Sequence, residues 1–260
     1  MAQYIIADLH LSELRPEMLT AFSNFVSNTL THNDSLIILG DLFDYWVGRD
    51  KDDKAQQAVR DTLGKARAER GIKTYFLRGN RDFLISHFDA AWLNMTLLPD
   101  LHIIQTVSGA TLLMHGDLLC TNDLKYQKFR KRSRSRLLRT LFLALPLTVR
   151  RRIARKARLK SQARMINRLD PKIYGVTTEG IRRYLAATKC SNIVHGHIHY
   201  FARYVHEVAG ENTRLSLGKW GRTYSFVRTD LNGTALIEKR IDQLIDAREY
   251  PHLDFERYDY

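Results

Sequence analysis

Five times along this chain a short apolar run breaks off at a carboxylate, an amide or an imidazole. QYIIAD does so at residues 3–8, SLIILGD at 35–41 and IKTYFLRGN at 72–80. TLLMHGD follows at 111–117 and CSNIVHGHIH at 190–199. Each run is strand-length and nearly unbroken in apolar character, the pattern of strands buried on both faces. Between the first three lie stretches with helical periodicity, Pro16 to about Leu30 and Lys54 to Arg70. Strand–helix–strand alternation predicts an α/β fold with parallel strands, and such sheets gather functional groups at the carboxyl ends of their strands. From Asn212 the pattern turns back to short strands, RLSLGKW, RTYSFVRTD and ALIEKR, with turns at KWGR and LNG. These read as antiparallel strands of a second sheet.

The middle of the chain is different. From Lys125 to Arg164 there are 16 Lys or Arg and no Asp or Glu. The net charge of +13 therefore sits in one segment, and the rest of the chain is slightly acidic. The segment predicts two or three basic helices around an apolar centre. Leu137, Leu138, Leu141, Phe142 and Leu145 recur at helical spacing. Thr140 to Val149 is too short to span a bilayer, and Pro146 interrupts it. The apolar face suits an interface or a hydrophobic cleft, or else packs on its own domain. The charge suits nucleic acid, an anionic membrane surface or an anionic substrate. Phe142 is the one aromatic of the Leu-rich centre, which favours acyl chains over stacked bases.

Hydrophobic residues make up 44% of the chain, enough for an ordinary core. Cys120 and Cys190 stand far apart, so no disulfide is expected and a reducing compartment fits. The start, MAQYIIADLHLS, has no basic region followed by a cleavable apolar run, so no signal peptide is expected.

The strand ends carry the chemistry: Asp8-Leu-His10, Gly40-Asp41, Gly79-Asn80-Arg81-Asp82, His115-Gly-Asp117 and Gly196-His197-Ile-His199. In extended backbone, residues i and i+2 share a face, so Asp8 and His10, and likewise His197 and His199, are expected to serve a common site. A lone D-x-H or H-x-H says little; the five elements in this order say much more. Carboxylate, imidazole and amide donors suit Mn²⁺, Fe²⁺ or Zn²⁺, and no thiolate is offered. Asp8, His10, Asp41, Asn80, His115, His197 and His199 are too many for one ion. Two ions about 3.5–4 Å apart would use them, activating water and clamping a phosphoryl group. Asn80 then reads as a neutral ligand and Arg81 as the phosphate clamp. The alternative for Arg81 is a surface ion pair with Asp82. His195 reads as a support behind the ligands or as structural.

This order of motifs resembles that of the calcineurin-like metallophosphoesterases. IADLHL, ILGDLFDYWVG, GNRDFL, LMHGDLLCTND and TLFLALPLTVRRRIA are similar to the UDP-2,3-diacylglucosamine diphosphatase family of lipid A synthesis. The resemblance runs from Gln3 to about Ile237. It implies a sandwich of two mixed β-sheets flanked by helices. Residues 1–242 would form this domain, with an inserted helical lid at about 124–168 and an extension at 243–260. It implies one ion held by Asp8, His10, Asp41 and His199. The other would be held by Asp41, Asn80, His115 and His197, with Asp41 bridging and Mn²⁺ the usual metal. It also implies catalytic roles for Asp41, Asn80 and Arg81. Substrate contacts would come from Asn80, Arg81, Asp123, Ser161 and His197, with Arg164, Asn167 and Lys172 as candidates. The implied reaction cleaves the pyrophosphate of UDP-2,3-diacylglucosamine into UMP and 2,3-diacylglucosamine 1-phosphate, with the lid taking the acyl chains. The chain departs from the family after Ser161, where it reads QARMINRLDPKIYGVTTEG, and after GHIH, where Tyr200-Phe201 replaces Arg-Pro. A monomer, peripheral at the anionic cytoplasmic face of the inner membrane, is expected, with no nucleic-acid partner; the alternative is another metal-dependent phosphodiesterase or nuclease of the same superfamily, its basic segment binding nucleic acid.

Overall fold

The computed structural model describes residues 1–166, 171–208, 210–246 and 250; of residues 160–166, 171 and 172 it describes the backbone alone. The first half alternates as the apolar runs predict. β1 (Gln3–Ile6), α1 (Pro16–Thr29), β2 (Ser35–Ile38), α2 (Lys54–Arg70) and β3 (Lys73–Phe76) are followed by α3 (His87–Trp92) and β4 (Met95–Leu97). β5 (Leu101–Thr106) and β6 (Gly109–Met114) form a hairpin. Three helices come next, α4 (Leu124–Ser133), α5 (Arg136–Ala144) and α6 (Leu147–Ile166), then α7 (Pro171–Tyr174) and α8 (Thr178–Thr188). The chain returns as β7 (Asn192–His195), β8 (Ala202–Val205), β9 (Thr213–Ser216), β10 (Thr223–Asp230) and β11 (Gly233–Arg240).

Two mixed sheets result. One has the order β11-β10-β1-β2-β3-β4, the other β5-β6-β7-β9-β8. β1 to β4 are parallel, as are β6, β7 and β9. Strand alternation explains the layering. Ile5, Ile37, Val194, Leu215 and Val227 point between the sheets and form the inner core with Leu39, Leu77 and Leu113. Tyr4, Ile6, Leu36 and Ile38 point the other way, under Met18, Phe22 and Phe25 of α1 and Val59 and Leu63 of α2. Ile181 and Leu185 of α8 cover the outer face of the second sheet. Both cysteines are buried, and no disulfide joins them.

The C-terminal strands depart from the expected second sheet. Only β9 joins it, between parallel β7 and antiparallel β8. β10 instead pairs antiparallel with β1, and β11 with β10, closing the edge of the first sheet. Burial explains the placement: Tyr224 and Phe226 of β10 fill the aromatic cluster under α1. The extension begins by docking, with Leu244 and Ile245 buried and Leu244 O accepting from Asn24 Nδ2 at 2.6 Å. Residues 247–249 and 251–260 lie outside the described residues.

Phe25 is the hub of that cluster. Its ring centroid lies 6.4 Å from Tyr4, 5.3 Å from Trp220, 6.0 Å from Tyr224 and 5.4 Å from Phe226. Phe25→Ala is expected to lower unfolding stability by about 3–5 kcal/mol in a urea titration. A loss below about 1 kcal/mol would mean that the cluster does not hold α1 on the sheet.

Candidate metal centre

The strand-end residues are not extended. Asp8 (φ 58°), His10 (φ 51°), Asp41 (φ 52°), His197 (φ 71°) and His199 (φ 58°) all lie in the left-handed region. Expecting i and i+2 to share a strand face was therefore wrong in its reason. The turns fold back as single left-handed residues, at a cost of order 1–3 kcal/mol each. Backbone pairing carried past the strands holds them. Asp8 N donates to Gly40 O at 3.2 Å, His10 N to Asp41 O at 3.0 Å and Leu11 N to Leu42 O at 2.8 Å. His197 N donates to Asp8 Oδ2 at 2.7 Å. These turns interlock so closely that a Cβ on Gly79 would overlap Asp41 Oδ1, and one on Gly196 would overlap Asp8 Oδ2.

The side chains converge as two donor groups. Asp8, His10 and His199 form one, and Asp8, Asp41 and His115 the other, each with its ligand atoms within 4.8 Å of one another. His10 Nε2 lies 3.1 Å from His199 Nε2, which is 3.5 Å from Asp8 Oδ1. His115 Nε2 is 2.9 Å from Asn80 Oδ1 and 3.7 Å from Asp41 Oδ1, and His197 Nδ1 is 2.8 Å from Asn80 Oδ1. All seven sequence-expected ligands thus meet. The carboxylate common to both groups is Asp8, whereas Asp41 belongs to one.

A divalent cation fits these donors. Asp8 Oδ1 is buried and makes no hydrogen bond. His115 donates from Nδ1 to Leu39 O at 2.8 Å, which turns Nε2 toward Asn80 and Asp41. Burial lowers its pKa, but the charges of Asp41 and Asp8 outweigh it and raise the ring, so that a cation there would take the place of a proton. Burial, with the charges of His199, Arg81 and Lys219, holds His10 well below its ordinary pKa. Burial and His115 hold His197 at about 3. Both rings are therefore neutral near pH 7, the form that ligates. Burial pulls Asp8 upward, yet His199 and His115 outweigh it and keep that carboxyl below its ordinary value. Burial raises Asp41 to about 6, with His115 opposing and Asp8 assisting. Such a carboxylate gains most from a cation beside it.

Arg81 does not pair with Asp82. Its Nε lies 3.9 Å from Asp41 Oδ2 and makes no hydrogen bond, while its main chain is fixed by Arg81 N to Asp41 Oδ1 at 2.8 Å. Asp82 was missed as a functional position. It turns inward, accepting Asp41 N at 3.2 Å and Gly79 N at 2.9 Å on Oδ1, and Leu42 N at 2.8 Å on Oδ2. It thereby staples two of the ligand turns together. Burial, then the charge of Asp41, raises it to about 7. His195 is no donor in either group: its Nε2 accepts from Arg214, and burial with that charge holds it at about 3.

The basic helices dock through arginines on carboxylates near the ligands. Asp117 accepts from Tyr126 Oη at 2.6 Å and Arg130 Nε at 2.7 Å, and the Tyr126 ring lies 5.8 Å from that of His197. Arg134 donates to Asp100 Oδ2 at 2.6 Å and to Gly79 O at 2.9 Å. Arg158 of α6 pairs with Asp44 at 2.8 Å, and Arg150 and Arg151 reach Val47 O and Asp50. Asp123 caps α4, accepting Tyr126 N at 3.0 Å. Leu137, Leu138, Leu141 and Leu145 remain exposed, while Phe142 packs on the main core. The side chains of Ser161, Arg164 and Lys172, and all of Asn167, lie outside the described residues.

Residues 1–201 match the family described as Calcineurin-like phosphoesterase. The chain belongs to the calcineurin-like phosphoesterases. It is an enzyme of the metallophosphoesterase type, a class of metal-dependent hydrolases. Among its relatives, the UDP-2,3-diacylglucosamine hydrolase of Pasteurella multocida is 39% identical over 87% of this chain and 93% of that protein. The protein of the same name from Haemophilus influenzae strain PittGG is 40% identical over 88% and 95%. That from Aeromonas salmonicida is 36% identical over 98% and 96%.

Metal removal tests the donor groups. Protein stripped with a chelator is expected to regain about 2.7 kcal/mol of stability when Mn²⁺ is restored at a hundredfold excess over its Kd. Asp8→Asn, which weakens both groups, is expected to lose most of that gain in a melting assay. An equal gain in the variant would remove Asp8 from the site.

Proposed function

We propose that the chain hydrolyses the pyrophosphate of UDP-2,3-diacylglucosamine, releasing UMP and 2,3-diacylglucosamine 1-phosphate. The observation that carries this reading is the near full-length likeness, on both sides, to proteins named for hydrolysis of that compound. The convergence of seven donors supports it. Asp8, His10, Asp41 and His199 would hold one ion and Asp41, Asn80, His115 and His197 the other. Asp41 would bridge them, and Asp8 lies beside both. Two Mn²⁺ ions would supply a nucleophilic water at neutral pH and neutralise phosphoryl charge.

The protein's own groups do the rest. Arg81, with its Nε unpaired beside Asp41, would meet the phosphate oxygens as charge builds on them. The Asn80 side chain, whose Oδ1 faces His115 and His197, would orient the phosphoryl group through its Nδ2 hydrogens. Water adds to the α-phosphorus, the bond from that phosphorus to the bridging oxygen breaks, and the β-phosphate leaves with the lipid. Asp123, Ser161, Arg164 and His197 would complete the substrate contacts. Helices α4, α5 and α6 would act as a lid, with the exposed leucines of α5 taking acyl chains and the flanking arginines facing anionic headgroups. Among the described residues no helix is long and apolar enough to cross a membrane, so the contact we propose is peripheral, at the cytoplasmic face of the inner membrane, by a monomer.

In H₂¹⁸O the label is expected in UMP and not in the lipid phosphate, read by mass spectrometry. Asp41→Asn is expected to slow release by at least about a hundredfold, or roughly 2.7 kcal/mol of barrier. Label in the lipid product would reverse the point of attack. Absence of UMP beside cleavage of a simple phosphodiester or single-stranded DNA would remove the substrate assignment. The full chain is also expected to float with anionic liposomes and to be partly released by high salt. Equal flotation with neutral liposomes would deny the basic helices that role.

A further inference from the structure

A second buried polar cluster backs the GHIH turn. Arg214, on β9, is 4% exposed. Glu207 holds its guanidinium through two bonds, Nε to Oε2 at 2.6 Å and Nη2 to Oε1 at 2.7 Å. The Tyr204 ring lies under it at 3.8 Å. The remaining nitrogen, Nη1, donates to His195 Nε2 at 2.8 Å. An arginine cannot accept, so this bond settles the tautomer. The ring proton sits on Nδ1, which donates to Gly196 O at 2.8 Å.

Gly196 O is where the cluster meets the ligand turn. It also accepts Ile198 N at 2.9 Å, across His197 at φ 71°. A bond between residues two apart around a positive φ is the strained form of γ-turn. That turn sets two things at once: the His197 ring against Asn80, and the His197 amide against Asp8 Oδ2.

We propose that Glu207, Arg214 and His195 form a positioning relay that holds the strained turn at His197 and so sets the affinity of one of the two metal sites. The inference rests on the reading of His197 as a metal ligand. Arg214 and Glu207 act through His195, and all three are positioning residues. The relay also gives His195 a role distinct from its two neighbouring histidines. Its Nδ1 restrains the turn, while its Nε2 answers to the arginine.

The test is Mn²⁺ titration of the metal-stripped full chain by calorimetry, with folding checked by circular dichroism. Arg214→Gln and His195→Gln are expected to weaken one site by roughly 10–100-fold and leave the other near its original affinity. His195→Asn keeps a donor near the Nδ1 position and is expected to recover most of the lost affinity, even though it leaves Arg214 unpaired and lowers the melting temperature. His197→Ala is the control and is expected to lose the same site. If His197→Ala loses a site while Arg214→Gln binds both ions as the original protein does, the relay is overturned. If His197→Ala keeps both sites, the ligand reading itself falls. Should Arg214→Gln fail to fold, the Asn and Gln variants of His195 decide alone, and equal affinities in the two would overturn the relay.

Discussion

Four carboxylates buried on one floor set the terms for the rest of the molecule. Asp8, Asp41, Asp82 and Asp117 are all at most 2% exposed and stand at or beside the ends of strands of both sheets. An unpaired buried charge costs several kcal/mol even after relaxation. Each of the four is answered differently. Asp82 takes three backbone amides and needs no cation. Asp117 takes Arg130 and Tyr126, and His115 and Arg130 overcome burial to hold it well below the ordinary carboxyl range. Asp8 and Asp41 each accept a single backbone amide, from His197 and Arg81, and Asp8 Oδ1 makes no hydrogen bond. The two carboxylates least provided for by the protein are the ones that a metal would serve.

The same constraint explains the helical insertion. Its arginines are not a uniform solvated face. Arg130, Arg134 and Arg158 end on Asp117, Asp100 and Asp44, and Arg134 also holds the carbonyl of Gly79 in the GNRD turn. The helices that expose leucines are therefore tied by charge to the turns that carry the metal donors. The acidic floor would be more expensive without this basic cover.

Much of this was legible in the sequence, for identifiable reasons. The five apolar runs became β1, β2, β3, β6 and β7, because continuous burial on both faces leaves a one-dimensional trace. The gathering of the strand-end side chains was legible because each follows its strand directly. The conformation of those side chains' backbone was not: left-handed φ at Asp8 or His10 is held by pairing with a neighbouring turn, and composition does not record it. Nor was the role of Asp82, which depends on amides at residues 41 and 42. β10 and β11 were assigned to the wrong sheet because alternation gives a strand but not its partner. Arg214 carries no mark within RLSLGKW, since its partners lie on other elements.

The measurement that bears most directly on the account is anomalous diffraction at the manganese edge from crystals soaked in Mn²⁺. Two peaks about 3.5–4 Å apart are expected, one among Asp8, His10 and His199 and the other among Asn80, His115 and His197. A single peak, or ions bound away from these side chains, would contradict it.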